Sequence, residues 1–136
     1  MDNIQFKDLV RIWNDFPTKG IKFKDINPLL MTPDSLNYLD EKLFHMCGNV
    51  QVNKIAAIES RGFIPGSLLA KSLGKGLVLI RKEGKLPGPT IKQPYSIEYG
   101  TRIMEVQNDA ILGGEKILIV DDLLATGGTA VAAASL

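Results

Sequence analysis

One cysteine, one histidine and one tryptophan in 136 residues remove several chemistries at the outset. Cys47 has no partner for an internal disulfide, and Cys47 with His45 cannot supply the ligand set of a structural zinc site. Charge of one sign is missing too. Lys and Arg total 16 against 15 Asp and Glu, so there is no basic excess of the kind that nucleic-acid binding uses. No apolar run reaches the length needed to span a bilayer. The start, Met1-Asp2-Asn3-Ile4-Gln5, lacks the charged head and apolar middle of a signal peptide. Repeats and low-complexity segments are absent as well. These absences suit a cytoplasmic globular protein with a single domain over residues 1–136. Cys47 reads as a helix residue in the core.

What is present has the order of an α/β protein. Phe6, Leu9, Val10 and Trp13 fall at helical spacing, which predicts a helix over residues 3–15. Phe16-Pro17-Thr18-Lys19-Gly20 breaks it, and Ile21 to Asp25 reads as extended. Thr32-Pro33 provides an N-cap and a first-turn proline for a helix running to about Gly48. Lys54–Ile58 and Leu77–Ile80 read as buried strands, with a helix through Leu68 and Leu69 between them. Residues 95–106 suit a hairpin turning near Gly100. Strand, helix, strand, loop, strand, helix is the pattern of a mostly parallel sheet flanked by helices.

The most informative segment is Ile117-Leu118-Ile119-Val120-Asp121-Asp122-Leu123-Leu124-Ala125-Thr126-Gly127-Gly128-Thr129. Four branched apolar residues make a buried parallel strand. Two carboxylates follow at its carboxyl end, where open α/β sheets bind ligands. A small, glycine-rich turn then opens a helix near Gly128. Amides at a helix start attract anions, and glycine lets backbone approach a phosphate closely. Ala125, Thr126, Gly127, Gly128 and Thr129 therefore form a candidate phosphate cradle. Asp121 and Asp122 beside it can hold sugar hydroxyls or the waters of Mg²⁺. No Gly-Lys-Ser/Thr closes the loop, so it is not a Walker motif.

Across these residues the segment resembles the motif for 5-phosphoribosyl 1-pyrophosphate (PRPP) of type I phosphoribosyltransferases. Four further segments are similar to the branch of that family acting on adenine. Glu59-Ser60-Arg61-Gly62-Phe63 is similar to its pyrophosphate loop, which implies that Ser60 and Arg61 bind pyrophosphate; taken alone, Arg61 could equally pair with Glu59 at the surface. Arg81-Lys82-Glu83-Gly84-Lys85-Leu86-Pro87-Gly88 looks like the family's flexible loop. The resemblance implies pyrophosphate contacts from Arg81, Lys82 and Lys85, with Glu83 lowering the loop's positive charge; by itself the run reads as a solvated loop. Ser96-Ile97-Glu98-Tyr99-Gly100 implies Glu98 as the acid/base group at the purine, with Tyr99 packing near the site, while the residues alone allow an ordinary hairpin with Glu98 exposed and Tyr99 half buried. Ile21-Lys22-Phe23-Lys24-Asp25-Ile26 resembles the N-terminal hood over the base. This implies adenine contacts from Lys22, Phe23 and Lys24, although Phe23 also suits a core strand. Many members have arginine where Lys24 stands, and lysine loses the planar fork.

The resemblance implies a type I phosphoribosyltransferase fold with hood and flexible loop, a homodimer, and the reaction of adenine with PRPP to give AMP and pyrophosphate, as in purine salvage. Mg²⁺ is the implied cofactor, held through PRPP oxygens rather than directly by protein ligands. A transferase for hypoxanthine, guanine, xanthine or orotate is the nearest rival, and a non-catalytic PRPP-sensing regulator is the rival from another class. The sequence stops within the helix opened at Gly128, so a further helix end and strand are expected beyond Leu136, as in the family. Gly128→Val places a branched side chain where backbone must meet phosphate. It should weaken PRPP binding at least tenfold, or ~1.4 kcal/mol, in a calorimetric titration.

Overall fold

The computed structural model describes residues 6–97, 99–124 and 127–136. Glu98, Ala125 and Thr126 lie outside the described residues, as do residues 1–5. The chain forms two compact units, residues 1–42 and 43–136.

In the first unit, within the described part of the helix expected over 3–15, the chain instead forms a 3₁₀ turn, Phe6–Leu9, and a strand β1, Arg11–Asn14. β1 pairs antiparallel with β2, Lys22–Asp25, in the register Arg11↔Asp25 and Trp13↔Phe23. The reason lies in Asp25, which is buried. Its Oδ2 accepts from Arg11 Nε and Nη2 at 3.0 and 2.7 Å and from Trp13 Nε1 at 3.1 Å. Only a strand brings Arg11 and Trp13 together onto that carboxylate. Tertiary pairing thus overrides a local helical stripe, whose Trp13 remains exposed. The Asn27 N–H, followed by Trp13, holds the Asp25 carboxyl below its usual range. Two helices follow, α1 (Asn27–Leu30) and α2 (Pro33–Cys47). At the start of α2, the Ser35 N–H donates to Thr32 Oγ1 at 3.2 Å, as an N-cap should.

The second unit is a five-stranded sheet. Its strands are β3 (Lys54–Ile58), β4 (Gly76–Lys82), β5 (Thr90–Ile97), β6 (Gly100–Gln107) and β7 (Ile117–Val120). Their order across the sheet is β5-β6-β4-β3-β7. β4, β3 and β7 run parallel, whereas the β5–β6 hairpin joins β4 antiparallel, so the sheet is mixed. The helices are α3 (Phe63–Leu73) and α4 (Gly128–Ser135), and α3 closes on Gly74 in the left-handed conformation at φ 64°.

β3 is buried on both faces, as a central parallel strand should be. Ala56 and Ile58 join Val78, Ile80, Met104 and Val106 under Ala132 and Ala133 of α4. Ile55 packs on the other face with Leu69 and Ala70 of α3, joined by half-buried Cys47. β7 was expected to be fully buried. Only Val120 is, because among the described residues β7 pairs with β3 alone. Arg81 and Lys82 were expected on the loop, but they end β4, opposite Glu105 and Met104.

α3 lies tight on β3 because Gly66 has no side chain. A Cβ there would collide with the Ala57 Cβ. Gly66→Ala should therefore destabilise the protein by ~1–3 kcal/mol, despite the gain in helix propensity. Denaturant unfolding would measure it.

Candidate active site

Parallel pairing of β4, β3 and β7 brings three strand ends to one side of the sheet, and a cleft of about 480 Å³ opens there. Its walls include Ile58, Ile80, Met104 and Ile119 from the sheet. The polar groups come from the segments that leave those strands.

β3 runs into Glu59-Ser60-Arg61-Gly62, with the Glu59–Ser60 peptide in the cis form. This turn presses against the end of β7. A Cβ on Gly62 would stand 2.8 Å from Asp121 Oδ1 and would strike the Ile58 carbonyl oxygen. Glycine is required there by close approach rather than by backbone angle. Across this contact Arg61 Nε lies 2.7 Å from Asp122 Oδ2. That oxygen is buried and receives no aligned hydrogen bond, so the pairing is electrostatic. The Asp122 N–H donates to Asp121 Oδ1 at 2.8 Å.

The two acids consequently differ. Asp121 keeps one side open to solvent, but desolvation where it meets the cleft pushes its carboxyl up to about 6. The neighbouring Asp122 carboxylate adds to the rise, while the Asp122 N–H and Arg61 oppose it.

Arg81 finishes β4 and turns toward Glu59, donating from Nε at 3.3 Å and Nη2 at 3.2 Å. The Lys82 N–H donates to the same carboxylate at 2.7 Å. Burial alone would raise the Glu59 carboxyl, but these donors outweigh it and hold it below its usual range. The pairing Glu59–Arg81 replaces the alternative of Glu59 with Arg61. Glu83 pairs outside the loop: Lys92 Nζ lies 2.9 Å from it, and this hydrogen bond is the main reason that Lys92 is held above the usual lysine range.

The last wall is the start of α4. Gly127 adopts φ +86° just before the helix, a left-handed conformation that glycine permits at little cost. Gly127 and Thr129 line the cleft. Gly128 is the first helical residue.

The cleft therefore gathers Ser60, Arg61, Arg81, Lys82, Asp121, Asp122, Gly127 and Thr129 of the residues expected from sequence. Other expected residues are placed elsewhere. Lys85 is not among the lining residues; its carbonyl accepts from Arg81 Nη1 at 3.3 Å. Tyr99, which the resemblance implies packs near the site and which an ordinary hairpin would half bury, is 87% exposed at the hairpin tip. Lys22, Phe23 and Lys24 belong to β2 of the first unit, where Phe23 packs edge-on against Phe16 at 5.1 Å. Glu98, Ala125 and Thr126 lie outside the described residues.

Sequence reasoning missed Glu59 as a brace and Tyr95 as a wall. Glu59 stood beside the predicted loop, but its partner is 22 residues away in sequence. Tyr95 was detectable only through the alternation of β5. Among the described residues, no cluster of three His, Cys, Asp or Glu could hold a metal ion. Asp121 and Asp122 are the cleft carboxylates that could hold the waters of a cation brought in by ligand oxygens.

A glycine-led helix start, paired acids and a basic turn around one cleft define the class. The phosphoribosyl transferase domain matches residues 39–136, and the chain belongs to that family. Its relatives there include adenine phosphoribosyltransferases. That of Roseobacter denitrificans is 48% identical over 124 residues, covering 91% of this chain and 70% of the relative. The crystal structure of the Thermoanaerobacter pseudethanolicus enzyme superposes with a TM-score of 0.93 at 49% identity, covering 96% of this chain and 76% of that one. The Saccharomyces cerevisiae enzyme, complexed with an imino-altritol bisphosphate and adenine, gives 0.89 at 40% identity, covering 96% and 77%.

The raised Asp121 carboxyl has a consequence for stability. Between its usual 3.8 and about 6, the folded state retains a proton that the unfolded chain has lost. This residue's contribution to stability therefore falls as pH rises through that window. Asp121→Asn should remove the loss. Its melting temperature relative to the natural chain should climb from pH 3.8 to about 6 and then level, whereas a difference constant with pH would refute the assignment.

Proposed function

We infer that the chain transfers the 5-phosphoribosyl group from PRPP to adenine, forming AMP and pyrophosphate in purine salvage. The observation that carries this reading is the cleft itself, where the end of β7 and the turn after β3 meet across the Arg61–Asp122 pair. Displacement at the anomeric carbon develops positive charge on the ribose as pyrophosphate leaves. A catalyst for it must anchor the 5′-phosphate, hold the ribose hydroxyls, neutralise the leaving group and manage a purine proton.

Each requirement has a candidate. Gly127, Gly128 and Thr129 offer helix-start amides to the 5′-phosphate, and Ala125 and Thr126 are assigned to it by resemblance to the family. Asp121 and Asp122 accept hydrogen bonds from the ribose hydroxyls, and at neutral pH Asp121 is mainly ionised. Ser60, Arg61, Lys82 and Lys85 receive pyrophosphate, with Arg81 behind them. Bound Mg²⁺ supplies further neutralisation of that leaving group. Arg61 and Asp122 neutralise each other in the ligand-free cleft. Entry of PRPP would exchange that pair for two, Arg61 with pyrophosphate and Asp122 with a hydroxyl. Most of the acceleration would come from positioning and electrostatics.

The roles of Glu98 as acid/base group, of Tyr99 beside it, and of Lys22, Phe23 and Lys24 at adenine rest on resemblance to the family. So do the homodimer and the cytoplasmic setting. Among the described residues no helix is long and apolar enough to cross a membrane.

A spectrophotometric assay with PRPP, Mg²⁺ and a panel of bases tests the reading. Adenine should turn over, and hypoxanthine should be poorer by about 10²-fold or more, because a site built for an amino group leaves buried acceptors unmatched by a carbonyl. Glu98→Gln should lower kcat by ~10²–10⁴-fold with little change in PRPP affinity. PRPP binding without turnover of any base would instead favour a sensing protein.

A further inference from the structure

Glu105 is buried, with 3% exposure, in the middle of β6. Its neighbours Met104 and Val106 point into the core under α4. Glu105 is on the opposite face, in register between Arg81 of β4 and Lys92 of β5. The turn after β4 folds onto this carboxylate. The Gly84 N–H donates to Oε2 at 3.3 Å. Lys92 Nζ lies 3.4 Å from Oε1 and 2.9 Å from Glu83 Oε1, so one ammonium clamps the turn to the strand.

Backbone bonds complete the attachment. The Glu83 N–H donates to the Ile103 carbonyl at 3.0 Å and the Lys85 N–H to the Lys82 carbonyl at 3.2 Å. Gly84 takes φ +81°, the left-handed conformation that the turn needs.

Burying a carboxylate is costly, and a well-packed apolar residue is often as stabilising as a buried pair. Lys92 is half exposed, so its pairing returns little net stability. What this arrangement does supply is a defined path for the backbone between Lys82 and Lys85.

We propose that Glu105 is a positioning residue for pyrophosphate: with Lys92 it docks the Glu83–Lys85 turn on the hairpin and so holds the segment carrying Lys82 and Lys85 in its binding shape. The proposal rests on the functional reading above, in which those two lysines receive the leaving pyrophosphate.

The test uses the full chain and inorganic pyrophosphate with Mg²⁺, titrated by calorimetry, with amide hydrogen exchange followed over residues 83–86. Glu105→Leu removes the acceptor and the charge while filling the space. It should bind pyrophosphate about tenfold more weakly and exchange faster in the turn, with the rest of the protein protected as before. Glu105→Gln keeps an acceptor for the Gly84 N–H and should recover most of the affinity. In the transfer assay Glu105→Leu should raise KM for PRPP and leave KM for adenine unchanged, a split that general destabilisation would not produce. If Glu105→Leu does not fold, Lys92→Met at the half-exposed end of the clamp should show the same two changes. A folded Glu105→Leu or Lys92→Met protein with natural pyrophosphate affinity overturns the proposal. A natural chain that binds pyrophosphate but turns over no adenine would sink the functional reading alone, since the titration still decides the role of Glu105.

Discussion

The site depends on the parallel pairing of β3 with β7, in the register Lys54↔Ile117 through Ala57↔Val120. Parallel neighbours end on the same side of a sheet, so this register alone sets the turn after β3 against the acids after β7. The contact is close enough that position 62 has no room for a side chain beside Asp121. Moving either strand by one residue would reverse every side chain and separate Arg61 from Asp122. The two hydrophobic layers on either face of β3 hold the register in place.

Opposite charges are then brought together in matched pairs: Arg61 answers Asp122 and Arg81 answers Glu59 in the cleft, and Lys92 answers Glu83 on the turn beyond β4. Partly desolvated charges left single would be costly, and paired they can be kept near one another. Among the described residues Asp121 is in no ion pair, and of the carboxyls its own is the one that rises. The arrangement keeps charge at the mouth of a binding site without collapsing it. The same pairing links segments far apart in sequence: Glu59 holds Arg81 and the Lys82 amide, tying the turn after β3 to the end of β4.

Aromatic and basic residues at the start of the chain illustrate the limits of periodicity. The stripe of Leu9, Val10 and Trp13 has helical spacing, but in the fold the strand residues Arg11 to Asn14 are all exposed. The decisive interaction was a buried aspartate ten or more residues ahead, toward which Arg11 and Trp13 converge. No local pattern announces that bond. Likewise Arg81 and Lys82 read as loop because of the glycines and prolines behind them. The hairpin β5–β6 captures them as strand by supplying backbone partners.

Local chemistry by itself determined β3, buried almost throughout, and the position of β4, although Leu77 and Leu79 on one face of β4 stay exposed where burial of the whole run was expected. It determined the helix start at Gly128 and the cap at Thr32, because a glycine turn and a Thr-Pro pair constrain backbone directly. It also determined the paired acids and their place at a strand end, and through them the family. Tertiary structure decided which charge meets which. Arg61 could have paired with Glu59 two residues away, yet the adjacency of β7 put Asp122 within 2.7 Å instead. It decided that β6 would bury Glu105 beneath a turn and that Lys92 would cancel Glu83. Those outcomes depend on strand order and register, which are set by the packing of whole layers and are invisible to any window of neighbouring residues.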